Sequence, residues 1–132
     1  MKRCFVVLNH TITEKQQKDL REKLGVEKII FPSENLKKEL KEIDPKIWIC
    51  TDILEKLKSE ILSSLKEGDY LWVQTEYGLT CFLVQFAFKN GFKPIYSTTK
   101  RIFKEYKLDE ERIQREYLFE HVSFMPYRRV FI

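Results

Sequence analysis

Short apolar runs alternate with longer amphipathic segments along the first three quarters of the chain. Residues 2 to 8 include a continuous apolar run from Cys4 to Leu8, which is typical of a strand buried on both faces of a parallel sheet. We therefore predict a central strand there. Thr13 and Gln16 form a capping box, and Gly25 is a stop signal, so the first helix is predicted from about Glu14 to Leu24.

The middle of the chain repeats this alternation. Residues 27 to 31 predict a short strand, and the charged segment at 36 to 42 predicts a short helix. Thr51 is predicted to cap an amphipathic helix that Gly68 ends. Four apolar residues of that helix repeat at helical spacing: Leu54, Leu57, Ile61 and Leu65.

A strand–helix–strand unit follows. Strands are predicted at 70 to 74 and 93 to 96, with a helix from Gly78 to Lys89 between them. The residues of this helix that should face the sheet are Leu79, Phe82, Leu83, Phe86 and Ala87.

The last quarter of the chain has a period of two. Residues 101 to 106 and 112 to 124 alternate around a polar turn at 108 to 111, which predicts an antiparallel hairpin. The whole order of elements predicts an α/β protein. We expect one domain, residues 1–132, with a Rossmann-like three-layer fold, a mainly parallel central sheet and a C-terminal antiparallel β-hairpin.

Composition narrows the functional classes. The net charge of +4 is mild and both signs are interspersed, which gives little support to duplex DNA as a partner. No apolar stretch approaches the length of a membrane span or of a signal sequence, so no membrane partner is expected. Three cysteines, Cys4, Cys50 and Cys81, lack metal-ligand spacing, and we interpret them as buried free thiols of a cytoplasmic protein.

Polar residues follow the predicted strands at their carboxyl ends, where open parallel sheets bind ligands. The first such loop supplies Asn9, His10 and Thr11, and the loop after the third strand supplies Thr75, Glu76, Tyr77 and Gly78. Gln74 closes that third strand. Each loop leads into a helix N-terminus, which favours a phosphate or another anion. We predict one ligand-binding rim from these two loops.

A hydroxyl-rich basic loop is predicted after the fourth strand, at Ser97, Thr98, Thr99, Lys100 and Arg101. Three hydroxyls beside two cations suit phosphate recognition through charge-assisted hydrogen bonds. Arg101 is the stronger candidate of the two cations, since a guanidinium group can bind phosphate with two parallel hydrogen bonds.

Several of these residues have a plainer interpretation. His10 can serve as a proton donor near neutral pH, or can be a solvated loop histidine. Glu76 is most simply a helix cap. His121 fits a satisfied core position at least as well as a ligand role, and Arg128 with Arg129 fits a solvated tail. Tyr77 and Tyr96 can stack on a base or simply pack.

The chain lacks the usual cofactor motifs. It contains neither G-x-G-x-x-G nor a Walker A lysine loop, and no Ser-His-Asp order or His/Cys cluster has convincing spacing. We therefore expect no cofactor and no metal, and any catalysis should be metal-independent.

Four segments taken together resemble a known family. They are Asn9-His10-Thr11-Ile12-Thr13, the run from Gly68 to Gly78, Pro94 to Arg101, and Phe119-x-His121-Val122-x-Phe124. In order and spacing they resemble the small CRISPR-associated Csx-type ring nucleases of type III systems, relatives of the CARF (CRISPR-associated Rossmann fold) domain. The resemblance spans nearly the whole chain, although Glu76 stands where that family commonly has an aspartate.

The resemblance implies a CARF-like homodimer that binds a cyclic oligoadenylate second messenger, most simply cyclic tetra-adenylate. It implies cleavage by attack of a ribose 2′-hydroxyl on the neighbouring phosphate, which would end type III antiviral signalling. In that scheme His10 and Arg101 are the catalytic candidates, Thr98 and Thr99 add hydrogen bonds, and Gln74 and Glu76 orient ribose or base. A noncatalytic protein that only binds the same ligand is the alternative.

Overall fold

The computed structural model describes residues 1–44, 46 and 51–129. Cys50, one of the three predicted free thiols, lies outside the described residues. Five strands and four helices follow one another: β1 (Lys2–Leu8), α1 (Glu14–Leu24), β2 (Val26–Ile30), α2 (Glu34–Lys41), α3 (Thr51–Ser64), β3 (Tyr70–Gln74), α4 (Tyr77–Lys89), β4 (Lys93–Lys107) and β5 (Ile113–Pro126).

The strands form one mostly parallel sheet in the order β2-β1-β3-β4-β5. Strands β1 to β4 pair in parallel, and β5 pairs antiparallel with β4. This α/β arrangement is compatible with a Rossmann-like fold, and the predicted antiparallel hairpin is confirmed. Strand β1 lies between β2 and β3, so its predicted central position is also confirmed.

Two apolar cores lie on opposite faces of the sheet because side chains alternate along each strand. Val7 and Val73 point to one face, where α2, α3 and α4 pack through residues such as Leu57. Val6 and Trp72 point to the other face, where α1 packs through Leu20. The described residues therefore form the predicted three layers, with one helix on one side of the sheet and three on the other.

Local capping signals explain where α1 begins and ends. The Thr13 side chain accepts a hydrogen bond from the Gln16 backbone N–H at 3.2 Å, and the Gln16 side chain accepts one from the Thr13 N–H at 3.0 Å. Gly25 adopts a left-handed conformation with φ of 69°, which favours glycine. The bounds predicted for α1 are confirmed.

The predicted loop at residues 97 to 101 is wrong, because this segment continues β4. Strand β4 runs for 15 residues. Its pairing with β5 extends from Ile95 opposite Pro126 to Lys107 opposite Ile113, so β5 supplies the backbone partners that keep the segment extended. The polar side chains are consistent with a strand whose faces are largely exposed.

Two predictions of burial are also wrong. Leu79, Leu83 and Ala87 of α4 are buried at helical spacing, but Phe82 is exposed because it lies about 100° around the helix from Leu83. Cys81 is exposed as well. Cys4 is buried, and burial raises the pKa of the Cys4 thiol to about 12.

No helix in the described residues is long and apolar enough to cross a membrane.

Candidate functional site

The two predicted ligand loops start side by side at the carboxyl end of the sheet. Leu8, the last residue of β1, pairs with Gln74, the last residue of β3. The chain order reverses between these strands, since β2 lies beyond β1 on one side and β4 beyond β3 on the other. Such a switch point leaves a crevice beyond the strand ends, where open α/β sheets bind ligands. We refer to it as the β1/β3 crevice.

The first loop lines a cavity with α2. His10 and Thr11 lie on its wall together with Lys37 and Lys41, and the cavity volume is about 330 Å³. Sequence reasoning missed both lysines, although their four-residue spacing places them on one face of a helix. Glu34 also lines the cavity, and its carboxylate lies 3.3 Å from the Lys37 ammonium. The cavity wall is more apolar than polar, and its charged side chains include two lysines and one glutamate.

The His10 ring has one nitrogen already engaged. Its Nδ1 lies 3.1 Å from the backbone carbonyl oxygen of Thr11. A carbonyl oxygen can only accept, so Nδ1 carries the proton and donates it. In the neutral ring Nε2 is then the unprotonated nitrogen, and in the charged ring it is a second donor. Because His10 is exposed, Nε2 is the atom that can exchange a proton with a ligand.

In the second loop Glu76 caps α4. Its two carboxylate oxygens accept hydrogen bonds from the backbone N–H groups of Gly78 at 2.9 Å and Leu79 at 2.8 Å. These bonds lower the pKa of Glu76. A Cβ on Gly78 would lie 3.3 Å from the Glu76 carboxylate, so glycine leaves room for the cap. The capping role that the sequence suggested for Glu76 is confirmed.

Two neighbours of Glu76 have unused polar or aromatic groups. The hydroxyl oxygen of Thr75 is buried and has no hydrogen-bond partner among the residues that the structure describes. Tyr77 is 91% exposed, so its ring is free to stack on a planar group. Tyr96, by contrast, packs against the Tyr127 ring with centroids 4.8 Å apart.

Gln74 and Ser97 join β3 to β4. The Gln74 side-chain oxygen accepts hydrogen bonds from the Ser97 backbone N–H at 2.6 Å and from the Trp72 indole N–H at 2.7 Å. The Gln74 amide nitrogen donates to the Ser97 carbonyl at 3.2 Å. The backbone pairing of β3 with β4 ends at Trp72 and Ile95. Just beyond this pair, the Gln74 side chain takes the place of the backbone hydrogen bonds between the two strands. We call these contacts the Gln74 clamp.

A buried Ser-His-Asp chain lies beneath the clamp, which the sequence did not indicate. The His121 Nε2 lies 2.8 Å from the Asp19 carboxylate, and Nδ1 lies 2.5 Å from the Ser97 hydroxyl. The carboxylate can only accept, so Nε2 carries a proton. All three residues are buried, and the Ser97 hydroxyl also contacts the Gln16 amide at 3.3 Å. The satisfied-core interpretation of His121 is confirmed.

The remaining predicted residues lie on the β4–β5 ribbon. The Thr98 hydroxyl donates to the Ser123 carbonyl at 3.0 Å, while Thr99 is exposed. The Arg101 guanidinium lies over the Tyr117 ring, 4.7 Å from its centroid. Four residues of extended chain separate Ser97 from Arg101, about 13 Å. No hydrogen bond or ion pair of the described residues joins Arg101 to His10.

A second cavity of about 590 Å³ lies at the opposite, amino end of β3 and β4. It is mainly apolar, with Tyr70, Phe92 and Ile95 among its lining residues, and Lys93 and Arg129 also contribute to its wall. None of the predicted site residues lines it. The described residues contain no group of three His, Cys, Asp or Glu side chains that could hold a metal ion.

Comparison with known proteins gives one family. The model described as the Uncharacterized protein MJ1673 family matches residues 2–125. A protein of Methanocaldococcus jannaschii with the description "Uncharacterized protein MJ1673" is 32% identical over 127 residues, which cover 96% of this chain and 98% of that protein. No solved structure matches the chain.

Proposed function

The chain belongs to the MJ1673 family, and we propose that it is a metal-independent ring nuclease of cyclic oligoadenylate with a CARF-like fold. The ligand would occupy the β1/β3 crevice of a homodimer, and its cleavage would end type III CRISPR signalling in the cytoplasm. The observation that carries the proposal is the exposed His10 on the loop after β1, whose Nε2 has no hydrogen-bond partner among the described residues and which borders a cavity that contains Lys37 and Lys41.

The chemistry of the crevice supports an anionic ligand with planar groups. Lys37 and Lys41 supply positive charge for a phosphodiester, and Asn9 and Thr11 add exposed hydrogen-bonding groups. The exposed Tyr77 ring lies on the other loop, where a base would stack. A cyclic oligoadenylate has both a phosphodiester and a base.

In the proposed reaction a ribose 2′-oxygen attacks the adjacent phosphorus as the bond from phosphorus to the 5′-oxygen breaks. The products are a 2′,3′-cyclic phosphate and a 5′-hydroxyl. The 2′-hydroxyl gives up its proton to solvent, and the protonated His10 ring donates one from Nε2 to the leaving 5′-oxygen. The loops contribute by holding the 2′-oxygen in line and by stabilising the negative charge on phosphorus.

The test is incubation with labelled cyclic tetra-adenylate in the presence of a chelator. We expect linear products ending in a cyclic phosphate. His10→Asn keeps an amide donor for the Thr11 carbonyl but removes the titratable nitrogen, so cleavage should slow about 10²–10⁴-fold while the ligand still binds. Undiminished single-turnover cleavage by both His10→Asn and His10→Ala would exclude the proton-transfer role.

Arg101→Ala tests the second catalytic candidate. Lys104→Ala is its matched control, since Lys104 is an exposed cation on the opposite face of the same strand. A slower reaction with Arg101→Ala, and an unchanged one with Lys104→Ala, supports a specific role for the guanidinium group. If both variants slow cleavage equally, Arg101 contributes only general positive charge and has no specific role.

A binding protein without catalytic activity is the second candidate. It is favoured by Glu76, whose carboxylate is used to cap α4, and by Arg101, which lies on the ribbon and makes no polar contact with His10. A stoichiometric complex that retains an intact ring in the same assay would establish this function. If the ligand neither binds nor is cleaved, both candidates fail.

A further inference from the structure

The outer part of the β4–β5 ribbon has an uncovered aromatic face. Side chains alternate along each strand, so Arg101, Phe103 and Glu105 share a face with their cross-strand partners Phe119, Tyr117 and Arg115. We call this the Phe103 face. The Phe103 and Tyr117 rings are in contact, with centroids 5.3 Å apart. Phe119 is nevertheless 72% exposed, Tyr117 50% and Phe103 48%.

The part of the chain that the structure describes does not cover this face. Helix α1 reaches β5 through the Lys15–Glu120 ion pair and the Asp19–His121 hydrogen bond. Beyond these contacts, residues 103 to 119 are exposed on both strands. A two-stranded ribbon is only marginally stable by itself in water, and large exposed aromatic patches mark interaction surfaces.

The area of the Phe103 face fits a dimer interface. With Ile113, which is 56% exposed, the four apolar side chains leave about 450 Å² uncovered, at roughly 200 Å² for each side chain. A standard interface buries about 800 Å² of each partner, and about 65% of a homodimer interface is apolar. Each protomer of such a homodimer therefore buries about 500 Å² of apolar surface. This is close to the apolar area that the Phe103 face leaves uncovered.

The face carries one carboxylate, Glu105, and three cations, Arg101, Arg115 and Lys107, the partner of Ile113, so Glu105 can form an ion pair with the same face of a second copy. A twofold axis parallel to the strands places β4 of one copy over β5 of the other. Glu105 of one copy then faces Arg115 of the other, because these two residues are cross-strand partners within a chain. A twofold axis that crosses the strands at Phe103 places β4 over β4, and Glu105 of one copy then faces Arg101 of the other. In either arrangement the carboxylate of Glu105 meets an arginine, and the aromatic rings meet one another.

We propose that the Phe103 face binds a second copy of this chain, so that the ribbon is the dimerisation arm of the protein. Packing the two faces together covers the rings and pairs Glu105 with an arginine. This inference does not require the nuclease function, because it depends only on the ribbon. It also assigns the proposed homodimer a specific surface.

Light scattering coupled to size exclusion, on the full chain without ligand, tests the inference. We expect the mass of two chains for the unmodified protein. Phe103→Ser should raise the dissociation constant at least tenfold, about 1.4 kcal/mol. Leu62→Ser is the matched control, because Leu62 is equally exposed at 52% but lies on α3. It should leave the mass unchanged.

Charge reversal provides a second, independent measurement. Glu105→Arg should weaken the dimer, and adding either Arg115→Glu or Arg101→Glu should restore it, depending on the axis. A monomeric unmodified protein overturns the inference, as does a dimer that Phe103→Ser leaves intact while circular dichroism shows a folded chain. Failure of both charge restorations, with all variants folded, also overturns it. None of these outcomes depends on ligand cleavage.

Discussion

Replacing His121 with phenylalanine should destabilise the protein while leaving its shape largely unchanged. The phenyl ring is flat like imidazole but one ring atom larger, and it keeps the packing against Phe124, whose centroid lies 4.7 Å from that of His121. It removes the partner of the Ser97 hydroxyl and the partner of the Asp19 carboxylate, both of which are buried. The cost therefore comes from polar groups that lose their hydrogen bonds.

The size of the effect follows from the two hydrogen bonds. A buried group that loses its partner costs about 1–3 kcal/mol. Ser97 keeps the Gln16 amide, and Lys23 lies 3.7 Å from Asp19, so neither group is left without any partner. We expect His121→Phe to lower the free energy of unfolding by about 3 kcal/mol, which corresponds to a fall in Tm of roughly 10 °C.

Urea denaturation at pH 7 measures the difference, and the other histidine supplies the control. His10→Phe changes an exposed loop residue, so it should alter the free energy of unfolding by less than about 0.5 kcal/mol. Equal effects of the two substitutions would refute the reasoning from burial. An effect of His121→Phe below about 1 kcal/mol would show that the network contributes little.

The pH dependence provides a second check. The hydrogen bond from His121 lowers the pKa of Asp19. A carboxyl group with a lowered folded-state pKa stabilises the protein above its ordinary pKa of about 3.9, and this contribution is lost as pH falls through the folded value. The difference between the unmodified protein and His121→Phe should therefore narrow below about pH 4. A constant difference would show that the carboxylate is not involved.

Three further predictions concern single side chains. Glu76→Ala should cost about 1 kcal/mol through loss of the α4 cap, with no cost for the matched exposed residue Glu22→Ala, as measured by urea denaturation. Tyr127→Phe removes a hydroxyl that donates to the Val73 carbonyl at 2.6 Å, at a cost of about 1 kcal/mol. Because burial raises the pKa of Tyr127 from 10 to about 12, that stabilisation should decrease progressively as pH rises from about 10 to about 12, and calorimetry at pH 8 and 10.5 should show the onset of the decrease in the unmodified protein but not in the variant. Cys4 should react with a thiol reagent only on unfolding, unlike the exposed Cys81, which mass spectrometry of labelled peptides would distinguish.

The elements that sequence predicted well carry their own local signals. Helix α1 has a complete capping box and a left-handed glycine, and β3 is an apolar run between turn residues. Their bounds needed no knowledge of neighbouring strands. The two loops of the predicted rim start side by side for a similar reason, since polar residues after buried strands indicate the carboxyl edge of a sheet.

Long-range partners explain what sequence reasoning missed. Ser97 to Arg101 is extended because β5 pairs with it, and the partner of Arg101 is Phe119. Lys37 lines the same cavity as His10 because of the path of the chain from β2 into α2. Asp19 and His121 are 102 residues apart. In each case the informative contact is absent from any local window of sequence.

The unequal lengths of β3 and β4 connect the crevice to the ribbon. Strand β3 ends at Gln74, whereas β4 continues for ten residues beyond Ser97, so the sheet has a step at this position. The hydrogen bonds of the Gln74 clamp fix β4 to β3 at this position. The Ser97 hydroxyl is hydrogen-bonded to His121, which connects this part of β4 to α1. Helix α1 begins at the end of the His10 loop. A change in the position of the ribbon on binding a second copy would therefore alter the position of that loop through the buried hydrogen bonds. The ribbon and the crevice are therefore expected to respond together, which a shift of the His10 ring resonances on dissociation of the dimer would reveal.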